Sequence, residues 1–184
     1  MRKNQNFLKL PFEFDVAKLT YDLASVSPDD WISHQNTSVY DGSWLVTSLT
    51  STDGTTQQIV AFENQEYYDT PLLKRTPYIQ SVIEIFQTKI ETVRFMRLGA
   101  NSIIKVHSDR GSCFDDGYAR IHIPITTNSD VAFILNGKKM KMNIGKCYYI
   151  DADAPHSVVN LGHSDRVHLL IDCHIEDKKD FNVS

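Results

Sequence analysis

The hydrophobic pattern changes character half-way along the chain. From residue 92 onward, short apolar runs follow one another closely: TVRFMRL, SIIKVH, ARIHIPIT, VAFIL, KKMKMN, CYYI, HSVVN and RVHLLIDCH. Their length, β-branched and aromatic content and period of two predict about eight short strands. VAFIL and KKMKM are joined by Asn136-Gly137, the pair that suits a type I′ hairpin turn. Short strands separated by turns predict a closed sandwich, jelly roll or barrel.

The first half reads differently. LKLPFEF alternates like a strand, and Asp15 stands where a cap would open a helix over VAKLTYDLA, with Val16, Leu19, Leu23 and Ala24 on one face. SPDDW reads as a turn. TSVYDGSWLVTSLTS predicts a strand or hairpin around its Asp-Gly pair, and STDGTT a loop before a short strand, QIVAFE. TPYIQSVIEIFQ predicts a helix with Thr76 as cap and Pro77 in first position. No linker-like segment interrupts the chain. The expected class is therefore mainly β: one domain over residues 1–184, with a mixed flank (1–91) whose helices pack outside a β core (92–174).

Composition narrows the function classes. The chain has 184 residues, 41% apolar and 23% charged, as a soluble globular protein does. A formal charge of −4 without a basic block leaves no electrostatic footprint for nucleic acid. The apolar runs fall far short of a membrane span. MRKNQNFLKL leads into charges and a proline, not a signal-peptide core, which predicts a cytoplasmic protein. Cys113, Cys147 and Cys173 are odd in number and form no CxxC, so they read as reduced thiols and not as a structural zinc site.

Four places carry candidate chemistry. His107 and Asp109 stand at i and i+2 at the end of SIIKVH, where strand geometry lets both reach one metal ion. The same pair also fits a polar strand end entering the loop DRGSCFDDG. His156 opens the apolar strand HSVVN and offers a third donor from another strand. Two histidines and a carboxylate on one face make the facial triad of non-haem Fe(II) oxygenases, with three positions left open. Arg166, ten residues after His156, opens RVHLLIDCH. Pointing inward it requires an anion, and its planar fork suits a carboxylate; pointing outward it pairs with Asp165 or Asp151. In ARIHIPI, Arg120 and His122 share one face, opposite Ala119, Ile121 and Ile123. Either that stripe lines an anion pocket, or it faces water while the isoleucines fill the core.

Taken together, His-x-Asp, Arg-x-His-x-Pro, the Asn-Gly hairpin, Pro-His and the arginine ten residues later resemble the aspartyl/asparaginyl β-hydroxylase family of Fe(II)/2-oxoglutarate dioxygenases. Within it the bacterial proline cis-4-hydroxylases look most similar. The resemblance is continuous over residues 92–174 and looser toward LKLPFEFD and YDGSWLVTSLTS. It implies a double-stranded β-helix, a form of jelly roll. It implies His107, Asp109 and His156 as iron ligands, and Arg166 as the partner of the distal carboxylate of 2-oxoglutarate. Arg120 and His122 would meet the cosubstrate's other end or the nearby substrate. Animal members lack the carboxylate ligand, so Asp109 groups this chain with the bacterial branch.

The expected activity is hydroxylation of a free amino acid or amino-acid-like small molecule, using Fe(II), 2-oxoglutarate and O2. An Asp, Asn or Pro side chain in a peptide is the second choice. Arg110, Tyr118 and Trp44 are candidate substrate contacts, with a packed core tryptophan as the alternative for Trp44. His168 is expected to hydrogen-bond a neighbour, His34 has no assigned role, and Asp115-Asp116 reads as a turn. A cupin-type metal-binding module or isomerase would instead present His-x-His with a later glutamate and histidine. A zinc hydrolase would use Asp109 or Asp151 as base. Nothing in the sequence sets an oligomeric state.

Overall fold

The alternation of the second half becomes two antiparallel sheets. The computed structural model describes residues 6–62, 65–109, 111 and 113–175. Its strands are β1 (Phe7–Glu13), β2 (Ile32–Ser33), β3 (Tyr40–Asp41), β4 (Trp44–Ser51), β5 (Tyr68–Asp69), β6 (Ile90–Leu98), β7 (Ser102–His107), β8 (Tyr118–Thr126), β9 (Val131–Leu135), β10 (Lys138–Met140), β11 (Lys146–Ile150), β12 (His156–Asn160) and β13 (Arg166–His174). Its helices are α1 (Val16–Leu23), α2 (Pro71–Lys74) and α3 (Pro77–Ile83). One sheet runs β1-β11-β8-β13-β6-β4-β2, with β5 on β4; the other runs β10-β9-β12-β7-β3. β9 and β10 form the expected hairpin, with Asn136 and Gly137 at φ 49° and 71°, the left-handed pair of a type I′ turn.

The larger sheet is buried on both faces, which explains its mixed strand patterns. On β13, Val167, Leu169, Ile171 and Cys173 join Ile121, Ile123, Phe95 and the helix residues Leu19, Leu72, Ile79 and Val82 in one core. Leu170 belongs instead to a second core between the sheets, with Val46, Met96, Leu98, Ile104, Phe133 and Val158. The helices thus cover the outer face, and the opposite face of the same strands is free to carry polar side chains into the space between the sheets.

The capping of α1 follows the sequence: Asp15 Oδ1 accepts from the Ala17 and Lys18 amides at 2.9 and 3.2 Å. Asp15→Ala is expected to cost about 1 kcal/mol, read as a lower urea midpoint at unchanged m-value. Three local expectations need correction. Thr76 does not cap α3 with its side chain; its hydroxyl donates to Leu72 and Leu73 carbonyls, and Asp22 of α1 accepts from the Ile79 amide instead. The Asp-Gly pair at 41–42 does not close a hairpin. β3 pairs with β7 and β4 with β6, so the chain changes sheet there. Gly42, at φ +88°, is required, since a Cβ would lie 2.4 Å from Ser102 Oγ. Residues 58–62 of QIVAFE form no strand; their carbonyls serve side chains, with Gln58 accepting from Ser48 and Ile59 from Arg94.

Candidate metal centre

The end of β7 meets the start of β12, and their antiparallel register places His107 opposite His156 with ring centroids 4.2 Å apart. Asp109 follows β7, its amide donating to the Ala152 carbonyl at 2.8 Å, which turns that segment toward the two imidazoles. The ligand atoms of His107, Asp109 and His156 all lie within 4.8 Å of one another.

Each imidazole is prepared for a cation. Nδ1 of His107 lies 2.8 Å from the Lys105 carbonyl, and Nδ1 of His156 lies 3.0 Å from the Ala154 carbonyl. A carbonyl only accepts, so Nδ1 carries the proton and Nε2 keeps a free lone pair. Burial holds His156 below the ordinary histidine range, in its neutral, ligating form. Burial of Asp109 opposes its ionisation, but Arg120 and the two histidines outweigh it and hold the carboxyl low. His107 Nε2 stands 3.9 Å from Asp109 Oδ1. Neighbouring donors on one ion, with bonds of about 2.1 Å, lie roughly 3 Å apart, so small side-chain rotations close the set. Two neutral nitrogens and one carboxylate oxygen fit a divalent transition metal.

Behind Asp109 runs a buried chain of charges. Arg120 of β8 donates through Nη1 to Asp109 Oδ2, through Nε to Asp172 Oδ1 at 2.7 Å, and through Nη2 to Asp172 Oδ2 at 3.1 Å. Asp172 Oδ2 also accepts from Thr92 Oγ1 at 2.7 Å and from Arg94 Nη2 at 2.5 Å. Burial disfavours the Asp172 charge, yet Arg120 and Arg94 hold its carboxyl far below the usual range. Sequence reasoning missed both Arg94 and Asp172.

Arg166 has the opposite surroundings. It is 3% exposed; its Nη2 donates to His168 Nδ1 at 2.8 Å, and its Nε has no partner. No acidic side chain among the described residues pairs with it. Burial alone pushes its pKa down to about 9. His122 Nδ1 lies 3.3 Å from His168 Nδ1, and burial, then Arg166, keeps both rings neutral. One cavity is lined by His107, Asp109, His156, Arg120, His122, Arg166 and Trp44. The register question for Arg120 and His122 is thereby answered: their face lines the cavity and the isoleucines still fill a core.

A model of the family described as aspartyl/asparaginyl beta-hydroxylase matches residues 15–175. The chain belongs to that family. An L-proline cis-4-hydroxylase of Rhizobium meliloti (strain 1021) is 29% identical to this β-hydroxylase-family chain over 163 residues, 87% of the chain and 58% of the relative. The chain thus spans 58% of that relative's length. The fold is shared with an oxidoreductase of the 2OG-Fe(II) oxygenase family from Burkholderia pseudomallei, at TM-score 0.64 and 14% identity over 92% of this chain and 86% of that one. A Pseudomonas putida prolyl-4-hydroxylase matches at TM-score 0.55 and 9% identity over 95% of each chain. The double-stranded β-helix expected from the sequence is therefore the fold of this family member.

The expected substrate contacts divide. Trp44 lines the cavity and stacks on His34, ring centroids 3.7 Å apart at 8°. His34, given no role from sequence, also lines the cavity, and burial lowers its pKa to about 4. Tyr118 sits beyond Arg120 with its ring 4.6 Å from that of His174 and does not line the cavity. Arg110 lies outside the described residues.

Proposed function

We propose that this chain is an Fe(II)/2-oxoglutarate-dependent hydroxylase of a free amino acid or amino-acid-like small molecule. One observation carries the reading: three metal donors and a buried guanidinium without an acid share a single cavity. His107, Asp109 and His156 would hold Fe(II), leaving three positions for cosubstrate and O2. Those bound groups supply the oxidative chemistry that converts a C–H bond to an alcohol; the protein supplies binding, orientation and exclusion of water.

Arg166 holds the distal carboxylate of 2-oxoglutarate, the anion its buried charge requires. Arg120 and His122 face the opposite end of the cosubstrate or the substrate beside it. Trp44, with His34 against it, walls the cavity and shields the reacting centre from water. Arg94, Arg120 and Arg166 outnumber Asp109 and Asp172 around the cavity, an excess that suits small ligands bearing carboxylates. The L-proline named for the 29% identical relative supports an amino acid as substrate. Among the described residues no helix is long and apolar enough to cross a membrane. Cys113, Cys147 and Cys173 are not joined in disulfides, which supports a reducing, cytoplasmic setting. We read residues 1–184 as one catalytic domain.

The test is anaerobic loading with Fe(II), addition of 2-oxoglutarate, and a screen of the twenty amino acids for O2-dependent succinate formation. The expected result is a visible absorption band on 2-oxoglutarate addition and succinate coupled to one substrate or a few related ones. An unchanged spectrum would favour a cupin-type binding module. Turnover with zinc in the absence of O2 and 2-oxoglutarate would establish a hydrolase.

A further inference from the structure

The position of Asp172 within the larger sheet suggests a role for a residue that touches neither the metal donors nor the open cavity. β13 lies between β6 and β8, and Asp172 is the register partner of Arg120 on β8. From the other side, β6 supplies Thr92 and Arg94 to the same carboxylate. A carboxylate held from both neighbouring strands is a fixed point.

What it fixes is the orientation of Arg120. A guanidinium has two edges able to fork onto a carboxylate. The Nε–Nη2 edge of Arg120 is taken by both oxygens of Asp172. The other edge, Nη1–Nη2, faces Asp109, but with the first edge pinned on Asp172 only Nη1 reaches it, at Oδ2 alone. Asp109 Oδ1 is the oxygen that faces His107 Nε2. The division leaves one oxygen of Asp109 to the guanidinium and the other to a metal.

We propose that Asp172 is a positioning residue that keeps Arg120 from competing with the metal for Asp109. The proposal rests on the reading of His107, Asp109 and His156 as metal ligands. Without the Asp172 charge, the guanidinium of Arg120 is no longer pinned and shifts to fork onto both oxygens of Asp109. Metal must then displace a two-point ion pair to enter.

The experiment is an Mn(II) titration of the intact protein, well below its melting temperature, with folding verified by circular dichroism. Asp172→Asn is expected to weaken Mn(II) binding by about tenfold, the loss typical when a group supporting a ligand is removed. In an Arg120→Gln background no guanidinium remains to compete, so adding Asp172→Asn should cause no further loss. Thr92→Val removes one hydrogen bond from the same carboxylate, and it carries the same cycle, with a smaller loss, if Asp172→Asn fails to fold. An unchanged Mn(II) affinity in the single variant, or an equal loss in both backgrounds, would overturn the positioning role. A merely structural Asp172 would lower the melting temperature and leave the affinity of the folded protein where it was. If the unmodified protein binds no Mn(II), the ligand assignment itself fails, and this inference with it.

Discussion

His156→Ala is expected to lower Fe(II) or Mn(II) affinity by roughly a thousandfold and to abolish hydroxylation. Protein sites with a full set of donors bind divalent transition metals with about 10–16 kcal/mol near neutral pH. Losing one of three protein donors removes on the order of a third of that, about 4 kcal/mol, which is a thousandfold. The loss is specific because His156 is built for the task. Its Nδ1 is committed to the Ala154 carbonyl, its Nε2 faces His107 and Asp109, and burial keeps the ring neutral. The strand should survive, since β12 is paired along its length to β9 and along much of it to β7. His163→Ala, at an exposed turn, should leave metal binding unchanged. Anaerobic titration of both variants, with succinate formation on the same samples, provides the check. Near-native metal affinity in His156→Ala would remove the candidate centre.

The legible part of this site was the part written within single strands. SIIKVH, HSVVN and RVHLLIDCH appear as β7, β12 and β13, and alternation alone places His107 and Arg166 at strand ends. The ambiguity over Arg120 and His122 arose from assuming that one strand face meets water. Both faces of β8 are buried, because α1 and α3 cover Ile121 and Ile123. Arg94 and Asp172 escaped for a different reason. Their partners lie on neighbouring strands, so each reads alone as an isolated charge in an apolar run. The same alternation that selects Arg166 and His168 continues through Leu170 to Asp172, and that was the available signal. His34 had none: it lies in the coil just after β2, and only the stacking of Trp44 brings it to the cavity. QIVAFE misled because a strand-like composition says nothing about where backbone carbonyls find donors, and here those donors are side chains.

Arg166→Met is expected to raise stability and destroy cosubstrate binding in the same molecule. The ligand-free protein holds this guanidinium 3% exposed, with one hydrogen bond to His168 and no acid. Exchanging buried charge for an apolar side chain of similar length is often stabilising, by roughly 1–4 kcal/mol. For a chain of this size each kcal/mol raises Tm by about 2–4 °C. The lost hydrogen bond is replaceable, since His122 Nδ1 already lies 3.3 Å from the same His168 nitrogen. Cosubstrate binding moves the other way. Removing one partner of a buried charge pair costs about 2–5 kcal/mol, so the Kd for 2-oxoglutarate should rise at least about thirtyfold. Thermal melts with Mn(II), with and without 2-oxoglutarate, separate the two effects. The unmodified protein should melt higher with the cosubstrate, and Arg166→Met should melt higher without it and gain nothing on its addition. A lower Tm for the ligand-free variant would mean that the protein itself compensates this charge, and a guanidinium already compensated has no need of a dicarboxylate. Opposite signs for stability and binding distinguish a residue retained for its ligand from one retained for the fold.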